Sequence, residues 1–410
     1  MKFWWLLTAL LGLYLAVANQ SLWLDEAISA NVARNNSYRG IVTNFSKYDF
    51  HPPGYYLVLK TWADIFGYSE ISLRLPSIIF TLITVTLVYK LGGMGAAMIV
   101  GFNPLLVYYS HEARMYALVT MLLTCSVYFL IRKKYLYSGI VAGLSFLVFY
   151  GSIFLTAGIG IYLLLNRKYK PLFLFSMGPV LGLLVISPLL INQFKYSKEM
   201  LSTVTNWSLV LGKANIKNLL LIPMKFAGGR ISFYPKVLYY AIVGIWSVFV
   251  FSKLFKKNVY SFLFWASIAL GTLFSIFTPM LQYFRFLYFI PLMALIINKN
   301  KVIVFGSLVF SLIYIAVPTF HREDWKSLAK SVPMKVYMVE SFGDPLLYYK
   351  PGIEIIDIRN KPAEKVIMVI PYGEIIHGVD HQKILTDQGF KLVSRTVFRE
   401  LVSETWQQGS

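Results

Sequence analysis

With 410 residues, 57% hydrophobic and only 14% charged, the chain carries more apolar surface than one soluble core of its length can bury, which excludes an ordinary soluble globular protein. The formal charge of +20 is spread as short basic clusters between apolar runs, so a multi-pass membrane protein is expected and nucleic-acid binding is excluded. The single cysteine, Cys125, lies within an apolar run, which removes both a disulfide and a cysteine zinc site.

Taken in order, the apolar runs predict eleven transmembrane helices, near residues 3–19, 71–91, 94–110, 115–131, 136–151, 153–165, 172–191, 237–252, 260–278, 283–298 and 302–318. The N-terminal run, with Lys2 before it and Ala16-Val17-Ala18 at its end, also fits a cleavable signal peptide. Lys2, Lys90, Arg132-Lys133-Lys134, Arg167-Lys168 with Lys170, Lys253 with Lys256-Lys257, and Lys299 with Lys301 fall on one side, which the positive-inside rule makes cytoplasmic. A first outer loop over residues 20–70, the turn from His111 to Arg114, a long outer loop over 192–236 and everything after Pro318 then share the other side.

Within the first outer loop, Tyr55 to Gly67 is too short to span, and its Tyr55, Leu59, Trp62 and Phe66 share one helical face with Lys60 and Asp64 opposite. It is expected to lie flat on the outer surface, as is a shorter helix around 23–34 with Asp25 in its first turn. The segment 192–236 reads as a loop rich in lysine, with Gly228-Gly229 as a hinge; it fits a solvated loop or a substrate-covering lid equally. The chain therefore divides into a transmembrane unit, 1–318, and a small extracytoplasmic α/β domain, 319–410, with strands near 334–340, 353–358, 366–371 and 391–399 and helices near 344–350 and 374–389.

The residues able to carry chemistry gather on the outer side. Asp25 and Glu26 form an adjacent acidic pair, for which helix capping is the competing structural role. Glu112 and Arg114 face the same compartment, so the two groups read as halves of one site, against the plainer alternative of an interfacial salt bridge. His51 is locked before Pro52-Pro53, where it either points to water or meets a phosphate. Arg74 and Arg285 end spans on the outer side, as snorkelling residues or as guanidinium partners of a phosphate. No histidine or cysteine cluster is present, which leaves catalysis without metal, or with a weakly held divalent cation, Mg or Mn, at the acidic oxygens of Asp25 or Glu112.

Leu24-Asp25-Glu26-Ala27, His51-Pro52-Pro53-Gly54-Tyr55-Tyr56, Arg74-Leu75-Pro76-Ser77 and His111-Glu112-Ala113-Arg114-Met115-Tyr116 follow one another in an order and spacing that resembles the GT-C superfamily of membrane glycosyltransferases. Within it the chain is most similar to the protein O-mannosyltransferases and lipid A aminoarabinose transferases, specifically over its first third and more loosely through Tyr283-Phe284-Arg285 and Glu323-Asp324-Trp325-Lys326. The resemblance favours a retained first span. It implies inverting transfer of a hexosyl or pentosyl unit from a polyprenyl-phosphate donor to a glycan, lipid or protein hydroxyl at the outer face of the cell membrane. It also implies Asp25 as catalytic carboxylate with Glu26 beside it, Glu112 as a second acidic position, and His51, Arg74, Arg114, Tyr116, Tyr283 and Arg285 as substrate contacts.

Two other classes compete. A transporter or lipid flippase predicts ionisable residues near mid-membrane and repeated halves, neither of which is visible. A non-catalytic scaffold would use the C-terminal domain to hold a partner.

Overall fold

A computed structural model describes residues 20–409 together with Thr8 and Tyr14, without the side chains of Ser208 and Leu209. The expected first span, 3–19, and its signal-peptide alternative therefore lie outside the described residues.

The chain enters through a helical platform: α1, Leu24–Asn35; α2, Tyr38–Thr43; and α3, Gly54–Phe66. It then passes through α4, Glu70–Gly101; α5, Pro104–Tyr109; α6, Tyr116–Ile131; α7, Tyr135–Phe146; α8, Ile153–Leu165; and α9, Tyr169–Thr203. The remaining membrane region comprises α10, Trp207–Leu211; α11, Ile216–Gly228; α12, Lys236–Ser252; α13, Val259–Phe277; a 3-10 turn, Tyr283–Phe289; α14, Ile290–Ile297; and α15, Lys301–Ala316. By length and composition α4, α9 and α13 can each cross a membrane, and six further apolar helical stretches are 10–17 residues long. The expected boundary between 91 and 94 appears as a break inside α4, where Gly93 takes φ +76°. Side-chain caps start many of these elements: Ser69, Asn103, Asn215, Asn258 and Asn300 each accept a hydrogen bond from a free amide of the first turn.

Small residues let two apolar helices meet backbone to backbone. Gly139 and Gly143 of α7 face Gly178 and Gly182 of α9; a Cβ on Gly178 would lie 2.1 Å from the Gly139 oxygen, and one on Gly182 2.5 Å from the Gly143 oxygen. Gly54, at the start of α3, plays a similar part. Its amide donates to the Leu147 carbonyl at 2.8 Å, and a Cβ there would sit 2.2 Å from that oxygen, so the platform can dock on the bundle only with glycine at this place.

Two expectations are corrected. The segment 192–236 is largely helical: α9 runs on to Thr203 because Asn192 to Thr203 contains no glycine or proline to stop it, and α10 and α11 follow. On α3, Lys60 is not on the outward face. Tyr55, Tyr56, Leu59 and Ala63 are buried with it, and Lys60 Nζ donates to the Ala33 carbonyl at 3.1 Å and pairs with Asp64 at 3.2 Å, while Val58, Ile65 and Phe66 are exposed.

Beyond α16, Trp325–Ser331, and α17, Asp344–Tyr349, the C-terminal part forms a five-stranded sheet of β1, Lys335–Met338; β2, Glu354–Asp357; β3, Val366–Val369; β4, Phe390–Phe398; and β5, Leu401–Gln408. The order is β2-β1-β3-β5-β4, with β1 parallel to β2 and β3, and β5 antiparallel to β3 and β4. The expected helix 374–389 is two short ones, α18, Glu374–His377, and α19, His381–Asp387. Strand β5 escaped the sequence reading because Ser403 and Glu404 break its apolar pattern, although both are buried. Glu404 is satisfied there by His381 Nε2 at 2.8 Å and by the indole N–H of Trp406 at 2.9 Å.

This sheet unit sits on the N-terminal platform. Ser21 Oγ donates to the Glu323 carbonyl at 2.6 Å and accepts from the Trp325 amide at 2.9 Å, and the Asn31 amide donates to Asp344 Oδ1 at 2.8 Å. Lys326 pairs with Glu70 at 2.9 Å, and Tyr349 donates to the same carboxylate.

Candidate active site

The first turn of α1 carries Asp25 and Glu26, and helical geometry sends the neighbouring carboxylates in different directions. Glu26 points into the protein. Its oxygens accept from Arg74 Nε at 3.0 Å, Arg74 Nη2 at 2.8 Å, the Ala113 amide at 2.8 Å and the Trp23 amide at 3.4 Å. Arg74 completes its fork on the Gln20 and Ser21 carbonyls at 2.8 and 3.1 Å. Both side chains are sealed, with 1% and 2% exposure. The structure thus does not present Glu26 or Arg74 to a ligand: each is consumed by the other.

Asp25 is open by contrast, with 32% of its side chain exposed, and its Oδ2 lies 3.5 Å from Arg114 Nη2. Arg114 Nη1 donates to Ser29 Oγ at 3.2 Å, and its buried Nε has no hydrogen-bond partner among the described residues. Burial opposes charge on this guanidinium, but Asp25 and other negative neighbours hold its pKa well above the ordinary value. Tyr116 and Arg285 are in electrostatic reach of Asp25 and of each other, and Arg285 makes no ion pair among the described residues.

Arg114 therefore joins Asp25 rather than its sequence neighbour Glu112. Glu112 turns the other way, to Arg322, whose Nη2 lies 3.3 Å from Oε1, while the buried Oε2 makes no well-formed hydrogen bond among the described residues. Burial raises the Glu112 carboxyl to about 7, even though Arg322 pulls in the opposite direction. Arg322 stacks 3.5 Å over the Trp23 ring and 5.1 Å over Tyr108. Arg230 lies over the same tyrosine and donates to its hydroxyl at 2.7 Å. Tyr283 belongs to this side, within electrostatic reach of Tyr109 and Arg230.

His51 is held by a residue that sequence reasoning missed. Asp49 Oδ1 lies 3.4 Å from His51 Nδ1, and its Oδ2 accepts from the Tyr56 hydroxyl at 2.8 Å. Burial pushes the Asp49 carboxyl up, yet His51, Tyr56 and Arg114 together hold it below the ordinary carboxylate range. The signal was present in Asp49-Phe50-His51, immediately before the prolines, with Asp49 two residues ahead of the histidine. His111 is different: buried, with Nδ1 3.2 Å from the Val107 carbonyl, it is driven down to about 3 by burial and by Arg74, so it stays neutral. Arg322 and Arg230 were also missed as site residues; both come from segments remote in sequence, where nothing but basic charge marks them.

The donor set does not favour a metal. Asp25 and Glu112, the candidate oxygen ligands, each face a guanidinium that competes for the same oxygens, and among the described residues no group of three His, Cys, Asp or Glu is placed to hold a metal ion.

A family model described as dolichyl-phosphate-mannose-protein mannosyltransferase matches residues 50–192. No curated protein sequence matches significantly. Among solved structures, ArnT from Cupriavidus metallidurans in the apo state is similar over 98% of this chain and 97% of that one, at a TM-score of 0.58 and 12% identity. The same protein bound to undecaprenyl phosphate matches over the same shares at a TM-score of 0.55 and 12% identity. A cryo-EM structure of the arabinofuranosyltransferase AftD from Mycobacteria is less similar, at a TM-score of 0.44 and 11% identity over 100% of this chain and 40% of that one. The chain thus has the GT-C fold of membrane glycosyltransferases, and its residues 50–192 carry a match to a mannosyltransferase family within that superfamily.

Proposed function

We propose that the chain is an inverting glycosyltransferase that moves a sugar from a polyprenyl-phosphate-linked donor to an acceptor hydroxyl of a glycan, lipid or protein, at the outer face of the cell membrane. The observation that carries this reading is the open Asp25 carboxylate, held by buried Arg114 with Arg285 close by and free of any ion pair among the described residues. A hydroxyl is a poor nucleophile, so Asp25 takes its proton as the oxygen bonds the anomeric carbon. The bond from that carbon to the phosphate oxygen breaks, and the electron pair leaves on the phosphate. Attack from the face opposite the leaving group inverts the centre. Arg114 and Arg285 meet the charge that develops on the phosphate, and His51, oriented by Asp49, adds a ring N–H donor. Glu26 and Arg74 act as the strut that fixes the first turn of α1 against the turn bearing Glu112 and Arg114.

The outer location is supported by the basic clusters at one set of helix ends and by the docking of the C-terminal sheet on the platform that holds Asp25. The test is to measure sugar transfer and polyprenyl-phosphate binding side by side in Asp25→Asn. This change keeps shape and removes basicity, so turnover should fall by about a hundredfold or more while binding persists. Near-normal turnover removes Asp25 from the role of base.

A further inference from the structure

The segment that follows the site carries positive charge that the chain leaves unbalanced. No aspartate or glutamate occurs between Glu199 and Glu323, so Lys225, Arg230 and Lys236 depend on distant elements for any counter-charge. Only Arg230 finds one, Glu400 at 3.3 Å. Lys225 and Lys236 make no ion pair among the described residues. Their ammonium groups lie 5.8 Å from the centre of one ring, that of buried Tyr239, and Lys236 also donates to Ser232 Oγ at 2.6 Å. Lys225 has no hydrogen-bond partner among the described residues. It is only partly exposed, and burial, then Arg230 and Lys236, push its pKa down to about 8.

Like charges in a partly dry place repel one another; Arg230 keeps Glu400 and the Tyr108 hydroxyl, and Lys236 keeps Ser232, but Lys225 loses hydration without a hydrogen-bond partner among the described residues to restore it. Side chains as long as lysine can escape to water, yet both ammonium groups come within 5.8 Å of the Tyr239 ring, Lys236 lying closer still, at 4.4 Å, to the exposed Tyr234. Such an arrangement is stable with an anion between the groups. A phosphate fits best, since it accepts both from ammonium groups and from a guanidinium fork. Arg230 bounds the cluster on the side of Tyr108 and Arg322, so an anion here lies beside the Glu112 side of the site and apart from the Asp25 side.

We propose that Lys225, Arg230 and Lys236, arranged around Tyr239 and Tyr108, form a second anion site that takes a phosphate-bearing ligand and is separate from the group formed by Asp25, Arg114 and Arg285. The ligand's phosphate comes either from a bilayer lipid headgroup or from a phosphorylated acceptor. The site stands whether or not Asp25 is the catalytic base.

The test uses the full chain purified in a neutral detergent, with thermal stability as the readout. Inorganic pyrophosphate should raise the melting temperature of the wild type in a saturable way. Lys225→Met/Lys236→Met should weaken that apparent affinity by about tenfold or more, and should do so to the same extent in an Arg114→Met background, where the donor-phosphate group is already disrupted. Without ligand, Lys225→Met should melt higher than wild type, because it removes an unpaired cation and keeps the length of the side chain. Equal stabilisation of the wild type and the double lysine variant overturns the proposal, as does a lysine effect that disappears in the Arg114→Met background. A lower melting temperature for ligand-free Lys225→Met also counts against it. Phosphatidylglycerol that abolishes the pyrophosphate response in wild type assigns the site to a headgroup; an undiminished response in its presence assigns it to a phosphorylated acceptor. Both are read only where the lysine dependence holds.

Discussion

Asp25 and Glu26 are adjacent carboxylates, each paired with an arginine, yet they end in opposite environments. Glu26 and Arg74 form a dry, forked pair whose polar capacity is used up by each other and by backbone groups. Asp25 and Arg114 touch at one longer contact, open on one side, with an arginine nitrogen left unpartnered. One pair is closed on all sides, the other keeps an open side. The difference arises because successive residues on a helix are turned about 100° apart, so a single acidic doublet can brace the fold with one member and expose the other.

The largest effect is expected from breaking the closed pair. Glu26→Ala strands a buried guanidinium and should destabilise the protein by roughly 3–5 kcal/mol, read as a fall in melting temperature or failure to fold, with much of the loss recovered in Glu26→Gln/Arg74→Met. Destabilisation no greater than that of Asp25→Ala would erase the distinction between the two pairs.

Glu112 tests the intermediate case, a buried carboxylate with one oxygen paired and one not. Its pKa in the fold, about 7, lies above its ordinary value of 4.5, so the folded state holds the proton more tightly than the unfolded state does. Stability linked to this group is full below pH 4.5 and is lost as pH rises through about 7. Glu112→Gln should flatten the decline in unfolding free energy between those limits, a decline on the order of a few kcal/mol. An unchanged pH profile would mean that Glu112 is charged and satisfied in the fold.

Arg285→Ala should weaken polyprenyl-phosphate binding by roughly tenfold to a hundredfold, the scale of a lost charged hydrogen bond, and leave the melting temperature nearly unchanged because no ion pair is broken. A large drop in stability with intact binding would move Arg285 to the structural side of the comparison. Asp49→Asn should have the smallest effect. It keeps the contact with Tyr56 and removes the charge beside His51, so KM for the donor should rise by several-fold with little change in kcat. A fall in kcat with constant KM would place Asp49 in the chemical step.

Much of the platform was legible because its signals are local. The first turn at Asp25, the helix after the two prolines and the alternation of strand and helix after Phe320 each follow from periodicity and from residues that restrict the backbone. The grouping of Asp25 with Arg114 was also legible, since both lie at helix ends facing one compartment. What failed was pairing. Arg114 prefers Asp25 to Glu112 two residues away, Glu112 takes Arg322 from 210 positions along the chain, and Arg74 closes on Glu26 rather than on a phosphate. Long-range ion pairs depend on which helix ends meet, and no spacing in the sequence encodes that. The long segment 192–236 failed for a different reason: charge was read as loop, although lysine, glutamate and glutamine are good helix formers.

The sequence by itself determined that the chain is apolar enough for a membrane, that its basic residues cluster at one set of helix ends, and that its acidic and cationic motifs follow the order of a GT-C protein. These are properties of composition and order, and burial does not change them. Only the tertiary structure decided which carboxylate is sealed and which is open, that Asp49 stands behind His51, and that Lys225 and Lys236 are left without carboxylates around one tyrosine. Whether a charge is satisfied depends on the desolvation and partners it meets after packing, and those are set by contacts between elements far apart in the chain.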